Sequence, residues 1–230
     1  MTDMLPSPLL LSPIEARVLG VLAEKQRTVP DSYPLTLNAL LAGCNQKTSR
    51  QPLMELSEAQ AQDALERLRA RSLVTESSGG RAMRFAHNAD RVLRIPSQSL
   101  ALLTVLMLRG PQTAGELRIA CERMHNFADI SSVEAFLDEL AERAAGALVR
   151  KLPRQAGARE QRWAHLLSGE PDVPDEPAPR ASAAGIDAGE LATLRARVDA
   201  LEAELERTRA TLSRVCNELG LPNASGDANP

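Results

Sequence analysis

One pattern occurs twice in this chain and restricts its fold more than any other feature. A Leu- and Ala-rich helical segment runs into Leu73-Val74, passes a turn at Ser78-Gly79-Gly80, and closes on Arg84-Phe85-Ala86-His87. A second helical segment, from Ser131, runs into Leu148-Val149, turns around Gln155-Ala156-Gly157, and closes on Arg162-Trp163-Ala164-His165. Val74 to His87 is 13 positions and Val149 to His165 is 16, so the second hairpin is three residues longer. Helices followed by a basic two-stranded hairpin form the layout of a winged helix. The expected fold is therefore mainly α with small β-hairpins (α+β). It comprises two tandem winged-helix domains (11–90 and 95–169), a flexible linker (170–185) and a C-terminal coiled-coil helix (187–220).

Helix starts carry their own signals. Ser12-Pro13-Ile14-Glu15, Ser57-Glu58-Ala59-Gln60, Thr113-Ala114-Gly115-Glu116 and Ser131-Ser132-Val133-Glu134 each fit the capping box, in which hydroxyl and carboxylate or amide satisfy free backbone N–H groups reciprocally. Ala16, Leu19, Val21, Leu22 and Ala23 make an apolar face on the first helix; a second helix from about Thr36 to Ala42 buries Leu37, Leu40 and Leu41. Ala61, Ala64, Leu65 and Leu68 recur at helical spacing in the third, and Met83 alternates with Phe85 as in a half-buried strand. The second unit repeats this order through Leu102 to Leu106, Leu117 and Cys121, then Val133 to Leu140, with Gly110-Pro111 stopping its first helix. Only about eight residues, Asn88 to Ile95, join the units, which predicts that they pack as one rigid pair.

Aromatic residues make up only 2% of the 230 positions, which fits small helical domains with Leu/Ala cores. The N-terminal stretch has Asp3 and early prolines instead of a basic region and an apolar run. No apolar stretch approaches the roughly 20 residues needed to span a bilayer, so a cytoplasmic protein without membrane contact is expected. Cys44, Cys121 and Cys216 are scattered and odd in number, which excludes a disulfide framework and a Cys-rich zinc site. Up to Glu170 there are 21 Lys+Arg against 19 Asp+Glu, a net of +2; beyond it 6 stand against 11, a net of −5. The body is mildly basic and the tail acidic.

From Glu170 to about Ala184 the chain is rich in Pro, Ala and acid, and buries too little apolar area to fold. Beyond it Leu191, Leu194, Val198, Leu201, Leu205, Thr208, Leu212, Val215 and Leu219 follow an unbroken 3-4 spacing, the pattern of a coiled-coil seam. In a parallel in-register pair Glu190 faces Arg195, Arg197 faces Glu202, and Glu204 faces Arg209, and all three attract. A parallel homodimer through Leu191, Leu194, Val198, Leu201, Leu205, Leu212, Val215 and Leu219 is expected. The alternative is a helix that folds back on its own body.

The stretches Glu15 to Gln26, Tyr33 to Asn38, Cys44 to Lys47, Leu108 to Thr113, Gly115 to Arg118, and Leu152-Pro153-Arg154 with Ala164 to Gly169 resemble the YceH-like family of bacterial proteins. The resemblance covers about Leu11 to Gly169 and implies a tandem winged-helix fold. It implies no catalytic or binding residues.

The third helix of a winged helix ordinarily enters the major groove, where it must tolerate phosphates. Here it is poorly suited. The second unit's third helix carries Glu134, Asp138, Glu139 and Glu142 against Arg143; the first's carries Glu58, Asp63 and Glu66, with Arg67, Arg69 and Arg71 at its far end. The hairpins are the reverse: Arg150, Lys151, Arg154, Arg159 and Arg162 face only Glu160, and Arg81, Arg84, Arg91 and Arg94 face only Asp90. If nucleic acid such as DNA binds, the wings grip phosphates without reading sequence. The loop Asn45 to Gln51, with Lys47 and Arg50, is a second candidate surface, and a basic protein partner docking on the acidic third helices is the alternative. His87 and His165 close equivalent strands and read as duplicated structural histidines, not metal ligands; Phe85 and Trp163 read as core, and His125 as a helix-end turn residue. No Gly-rich phosphate loop, nucleophile elbow or paired carboxylates on a shared face away from solvent occur, so no enzyme activity and no cofactor are expected.

Overall fold

A computed structural model describes residues 9–78, 82–155, 157–171 and helical positions 203–204, 206–208, 210–212 and 214. Everything up to residue 171 falls in one compact unit, Met1–Val173. Its first half runs α1 (Pro13–Thr28), a 3-10 turn (Pro30–Ser32), β1 (Leu35–Thr36), α2 (Leu37–Cys44), α3 (Glu58–Ala70), β2 (Val74–Ser78) and β3 (Met83–His87). A short helix, α4 (Ala89–Leu93), leads into the second half: α5 (Ser97–Arg109), α6 (Ala114–Cys121), α7 (Ile130–Ala141), β4 (Val149–Lys151) and β5 (Trp163–His165). The mixed architecture of helices with small antiparallel sheets agrees with expectation. Among the described residues no helix is long and apolar enough to cross a membrane.

The duplication extends to strand register. Val74 pairs with His87 as Val149 pairs with His165, and Glu76 opposes Phe85 as Lys151 opposes Trp163. On the other edge Leu35 pairs with Phe85, and an isolated bridge sets Gln112 against Trp163. Thr36 caps α2 and Thr113 caps α6, and both helices end on a buried cysteine, Cys44 or Cys121. The halves part company in one loop. Twelve residues (45–56) connect α2 to the cap of α3, but only seven (122–128) connect α6 to the cap of α7.

Helices α1 and α5 hold the halves together. An amphipathic helix buries one stripe, yet α1 is buried continuously from Glu15 to Ala23 and α5 from Ser99 to Leu108. Each is covered twice, by its own half and by the other helix: α1 packs on α2, α3 and β3, α5 on α6, α7 and β5, and the two on each other. Gly20 marks their closest approach, since a Cβ there would stand 3.0 Å from Leu108 Cδ2 and 3.4 Å from Met107 Cβ. Gly43 does the same for α2 on α1, where a Cβ would lie 2.6 Å from Val21 Cγ1.

Three capping boxes form where the sequence places them, at Ser12, Ser57 and Thr113. The fourth differs. Asp129 caps α7 and accepts from the Ser132 N–H at 2.7 Å, so Ile130, not a residue after Ser131, is the first helical position. The Asp129 carboxylate is a stronger acceptor for a free amide than a hydroxyl, and it wins the competition. Helix α2 also runs two residues past Ala42, and Leu37 and Leu41 are only partly buried. Met83 is exposed because it pairs with Ser78 at the tip of its hairpin, beyond the reach of the helices.

Val21 is β-branched and stiff, so it yields poorly to a methyl on Gly43. Gly43→Ala is predicted to lower the unfolding free energy by about 1–3 kcal/mol, read by urea denaturation. Gly115→Ala is the control: its nearest neighbour would be Ile130 Cδ1 at 3.9 Å, and helix propensity makes it neutral or stabilising by up to about 1 kcal/mol.

Candidate nucleic-acid interface

The second hairpin is anchored by Trp163. Its N–H donates to the Gln112 carbonyl at 2.7 Å, its carbonyl accepts from the Gln112 N–H at 3.0 Å, and its ring is buried. The Lys151 ammonium lies 5.3 Å from the ring centroid, a cation–π contact that fixes the side chain while leaving the residue exposed. Leu152 N–H donates to the Arg162 carbonyl at 2.7 Å, carrying the pairing beyond β4 and β5. Past this point the loop projects Arg154 and Arg159, both exposed and unpaired among the described residues, beside the exposed carboxylate of Glu160. Arg150 is paired with Glu170, and Arg162 stands 4.0 Å from Glu116.

The first hairpin is closer to neutral. Glu76 occupies the place of Lys151 and pairs with Arg69 at 2.5 Å. Arg84 donates to the Pro34 carbonyl at 2.7 Å, a bond that turns it inward. Arg81 lies outside the described residues.

Arg50 requires a correction. Expected in a solvent-facing loop, it is buried, donating to both Glu24 carboxylate oxygens at 3.1 and 2.6 Å, to the Gly43 carbonyl at 3.1 Å and to Gln46 at 2.7 Å. Such a side chain holds the loop together and offers nothing to a phosphate. Burial raises the Glu24 carboxyl, but the hydrogen bonds and charge of Arg50, with Lys25 adding, bring it below its ordinary value. Beneath it Arg17, only 1% exposed, donates to the Cys44 carbonyl at 3.1 Å and the Pro52 carbonyl at 2.6 Å. Burial, then the nearby Arg50 charge, lowers its pKa. Sequence reasoning missed Arg17; the available signal was a lone cation inside an apolar helical run.

Lys47 remains exposed. Its loop is tied at both ends and in the middle. Asn45 donates to the Leu56 carbonyl and accepts from the Leu56 N–H, at 3.0 and 2.8 Å. Gln51 N–H donates to the Leu108 carbonyl at 2.8 Å, and Arg109 donates to Ser49 Oγ at 3.0 Å. The first half's longer loop thus lies on the end of α5, three residues from the Gln112 that pairs with Trp163. Lys47 is carried on that loop, two residues from the Ser49 that accepts from Arg109.

Helix α7 is anionic as expected: Glu134, Asp138 and Glu139 are exposed, as is Glu142 at its cap, while Arg143 donates to the backbone carbonyls of Leu93 and Gly146. On α3, Asp63 pairs with Arg67 at 3.1 Å. The histidines are structural. His87 Nδ1 accepts from the Ala89 N–H, so Nε2 carries the proton donated to Gln26 Oε1 at 2.7 Å, and burial lowers its pKa. Burial pushes His165 down to about 4, and pushes the Cys44 and Cys121 thiols up to about 12. Among the described residues no three His, Cys, Asp or Glu are placed to hold a metal ion. His125 packs edge-on against Phe127, ring centroids 4.6 Å apart. Of the heptad, Leu191, Leu194, Val198, Leu201, Leu205, Val215 and Leu219 lie outside the described residues; Leu212 is helical and 56% exposed. Cys216 and linker positions 172–185 also lie outside them.

Comparison with known proteins agrees with the YceH-like resemblance. The profile described as "Protein of unknown function, DUF480" matches residues 11–158. A UPF0502 protein of Dechloromonas aromatica (strain RCB) is 59% identical over 202 residues, 88% of this chain and 94% of that protein. A UPF0502 protein of Burkholderia pseudomallei (strain 668) is 57% identical over 211 residues, 92% and 90% of the two chains. One from Burkholderia ambifaria is 55% identical over 222 residues, 95% and 93%. A span of 222 residues reaches past Gly169, so the likeness includes part of the tail.

Two outcomes are expected. Arg50→Ala strands the half-buried Glu24 carboxylate and should cost about 2–4 kcal/mol of stability in chemical denaturation. The folded pKa of His165 lies below its ordinary 6.5, so the unfolded chain takes up the proton first as pH falls. Stability from this group is full above about pH 6.5 and is lost towards pH 4. His165→Gln should therefore flatten the wild-type loss between pH 7 and 4 by roughly 2–3 kcal/mol, measured by denaturation at each pH.

Proposed function

Starting from the fact that the chain belongs to the DUF480 family, whose description assigns no activity, we propose a non-enzymatic, cytoplasmic tandem winged-helix protein that binds duplex DNA by its phosphates. The second wing makes the contact. One observation carries this reading: Lys151, Arg154 and Arg159 are exposed and free of carboxylate partners among the described residues, on a hairpin held rigid by Trp163. The order of three helices and a hairpin, met twice in similar hairpin register, supports the winged-helix reading; the short strand β1 of the first half is answered in the second by the single bridge at Gln112. Lys47, on the loop that lies against α5, widens the cationic surface.

Such binding positions DNA without selecting sequence, because its donors meet phosphate oxygens and no base edge. The anionic α7 is kept away from the duplex by repulsion, so the approach is by the wing edge. Arg50 and Arg84 take no part, and Arg150 contributes only when Glu170 releases it. A parallel dimer through the tail heptad would present two such wings and raise effective concentration on one duplex. The 56% exposure of Leu212 within one chain supports that pairing.

Anisotropy titration of a generic duplex at two salt concentrations tests this. Wild type should bind at low salt and weaken steeply as salt rises. Replacing Lys151, Arg154 and Arg159 together by Ala should reduce the slope of log K against log salt by roughly one unit per lost contact. No binding at low salt, or an unchanged slope, would refute the reading. Deleting residues after Glu170 should turn a dimer into a monomer in sedimentation equilibrium; a truncated chain that still sediments at twice its own mass, or a full chain that sediments as a monomer, would remove the tail dimer from the proposal.

A further inference from the structure

The second half exposes an apolar patch where a nucleic-acid reader would present polar contacts. Ile119 on α6 is 73% exposed, and Ile130 at the start of α7 is 47% exposed. They belong to one surface. Ile130 Cδ1 stands 3.9 Å from where a Cβ on Gly115 would be, and Gly115 and Ile119 are one helical turn apart. Ile130 thus lies against α6 beside Gly115, where even a Cβ would make only an ordinary contact, and the Asp129 cap brings Ile130 into the helix.

From Ile130 a row of carboxylates runs down α7 at four-residue steps: Glu134, Asp138, and Glu142 at the cap, all exposed. Helix α7 carries no Lys or Arg, and none of these carboxylates is in an ion pair among the described residues. Like charges at this spacing destabilise a helix by some tenths of a kcal/mol per pair, and carboxylates in its last turn oppose the helix dipole. The nearest cations are otherwise engaged or off the row: Arg118 donates to the Phe127 and Ala128 carbonyls, Arg143 to those of Leu93 and Gly146, and Arg123 lies in the turn after α6.

We propose that this face of α6 and α7 is a docking surface for a basic amphipathic helix of a partner protein. The partner would place an apolar side chain between Ile119 and Ile130, and Lys or Arg at successive turns against Glu134, Asp138 and Glu142. Charge selects this occupant. A polyanion is repelled by the row, whereas a helix with Lys or Arg on one face complements it; a second copy of this chain is the competing occupant, and the test distinguishes it. A contact of two isoleucines and one acidic row is small, so the complex is transient and salt-sensitive.

The test uses the full chain and labelled helical peptides of about 18 residues, roughly five turns. One carries Leu along one face and Lys elsewhere, one replaces Lys by Glu, and one replaces Leu by Ser. The Leu/Lys peptide should bind, the other two should not, and Ile119→Asp should weaken binding by about tenfold or more. Glu134→Lys with Asp138→Lys should do the same, and Leu53→Asp, also on an exposed apolar residue, should leave it unchanged. Ile119 is solvent-exposed, so Ile119→Asp should keep the wild-type Tm. Equal binding by the Leu/Lys and Leu/Glu peptides, or an unaffected Ile119→Asp variant, would overturn the proposal. So would a fall in sedimenting mass on Ile119→Asp, which would make a second copy the occupant.

Discussion

Helices α1 and α5 meet where Gly20 lets Leu108 and Met107 come within van der Waals contact of its backbone, and everything else in the described body is arranged around that meeting. Each helix is the first of its half and is buried without a break for more than two turns, so neither half could present it to water. Packing one against the other solves both problems at once. Without the other helix, each would expose several Leu and Val side chains, at about 1.5–3 kcal/mol apiece, a loss comparable to the whole stability of a small domain.

That pairing also decides what faces outward. With the first helices inside, the hairpins and the outer helices of each half are left at the periphery, and their charges divide. The hairpin of the second half is cationic and stiffened by Trp163; its outer helix is anionic with an apolar start. The longer loop of the first half, tied to the end of α5, exposes Lys47, while Glu76, Arg69 and the inward Arg84 leave the first hairpin nearly neutral. The two halves of a duplicated scaffold therefore differ in the charge they present. The proposed contacts, with a polyanion at one edge and with a cationic helix on another face, share no residue.

Much of this was legible in the sequence, for local reasons. Capping boxes depend on residues three apart, so Ser12, Ser57 and Thr113 declared their helices directly. The repeated Val and His positions marked both hairpins, and the structure pairs Val74 with His87 as it pairs Val149 with His165. Long-range facts were hidden. Arg50 reads as a loop cation, and only its approach to Glu24, 26 positions away, makes it a buried strut. Arg150 reads as a free wing residue until Glu170 folds back against it. The displacement of the α7 start arose because Asp129 and Ser131 are both good caps, and the choice between them rested on a hydrogen bond that sequence does not rank. The exposed pair of Ile119 and Ile130 was invisible because periodicity marks an isoleucine as core unless another element fails to cover it.

Native-state hydrogen exchange tests the central claim most directly. If α1 and α5 are one buried pair, their amides should share the highest opening free energy in the chain and the same dependence on denaturant, opening only when the whole body unfolds. Exchange of α5 with the second half at a distinctly lower free energy than α1 would mean two separately stable domains, and would contradict the account.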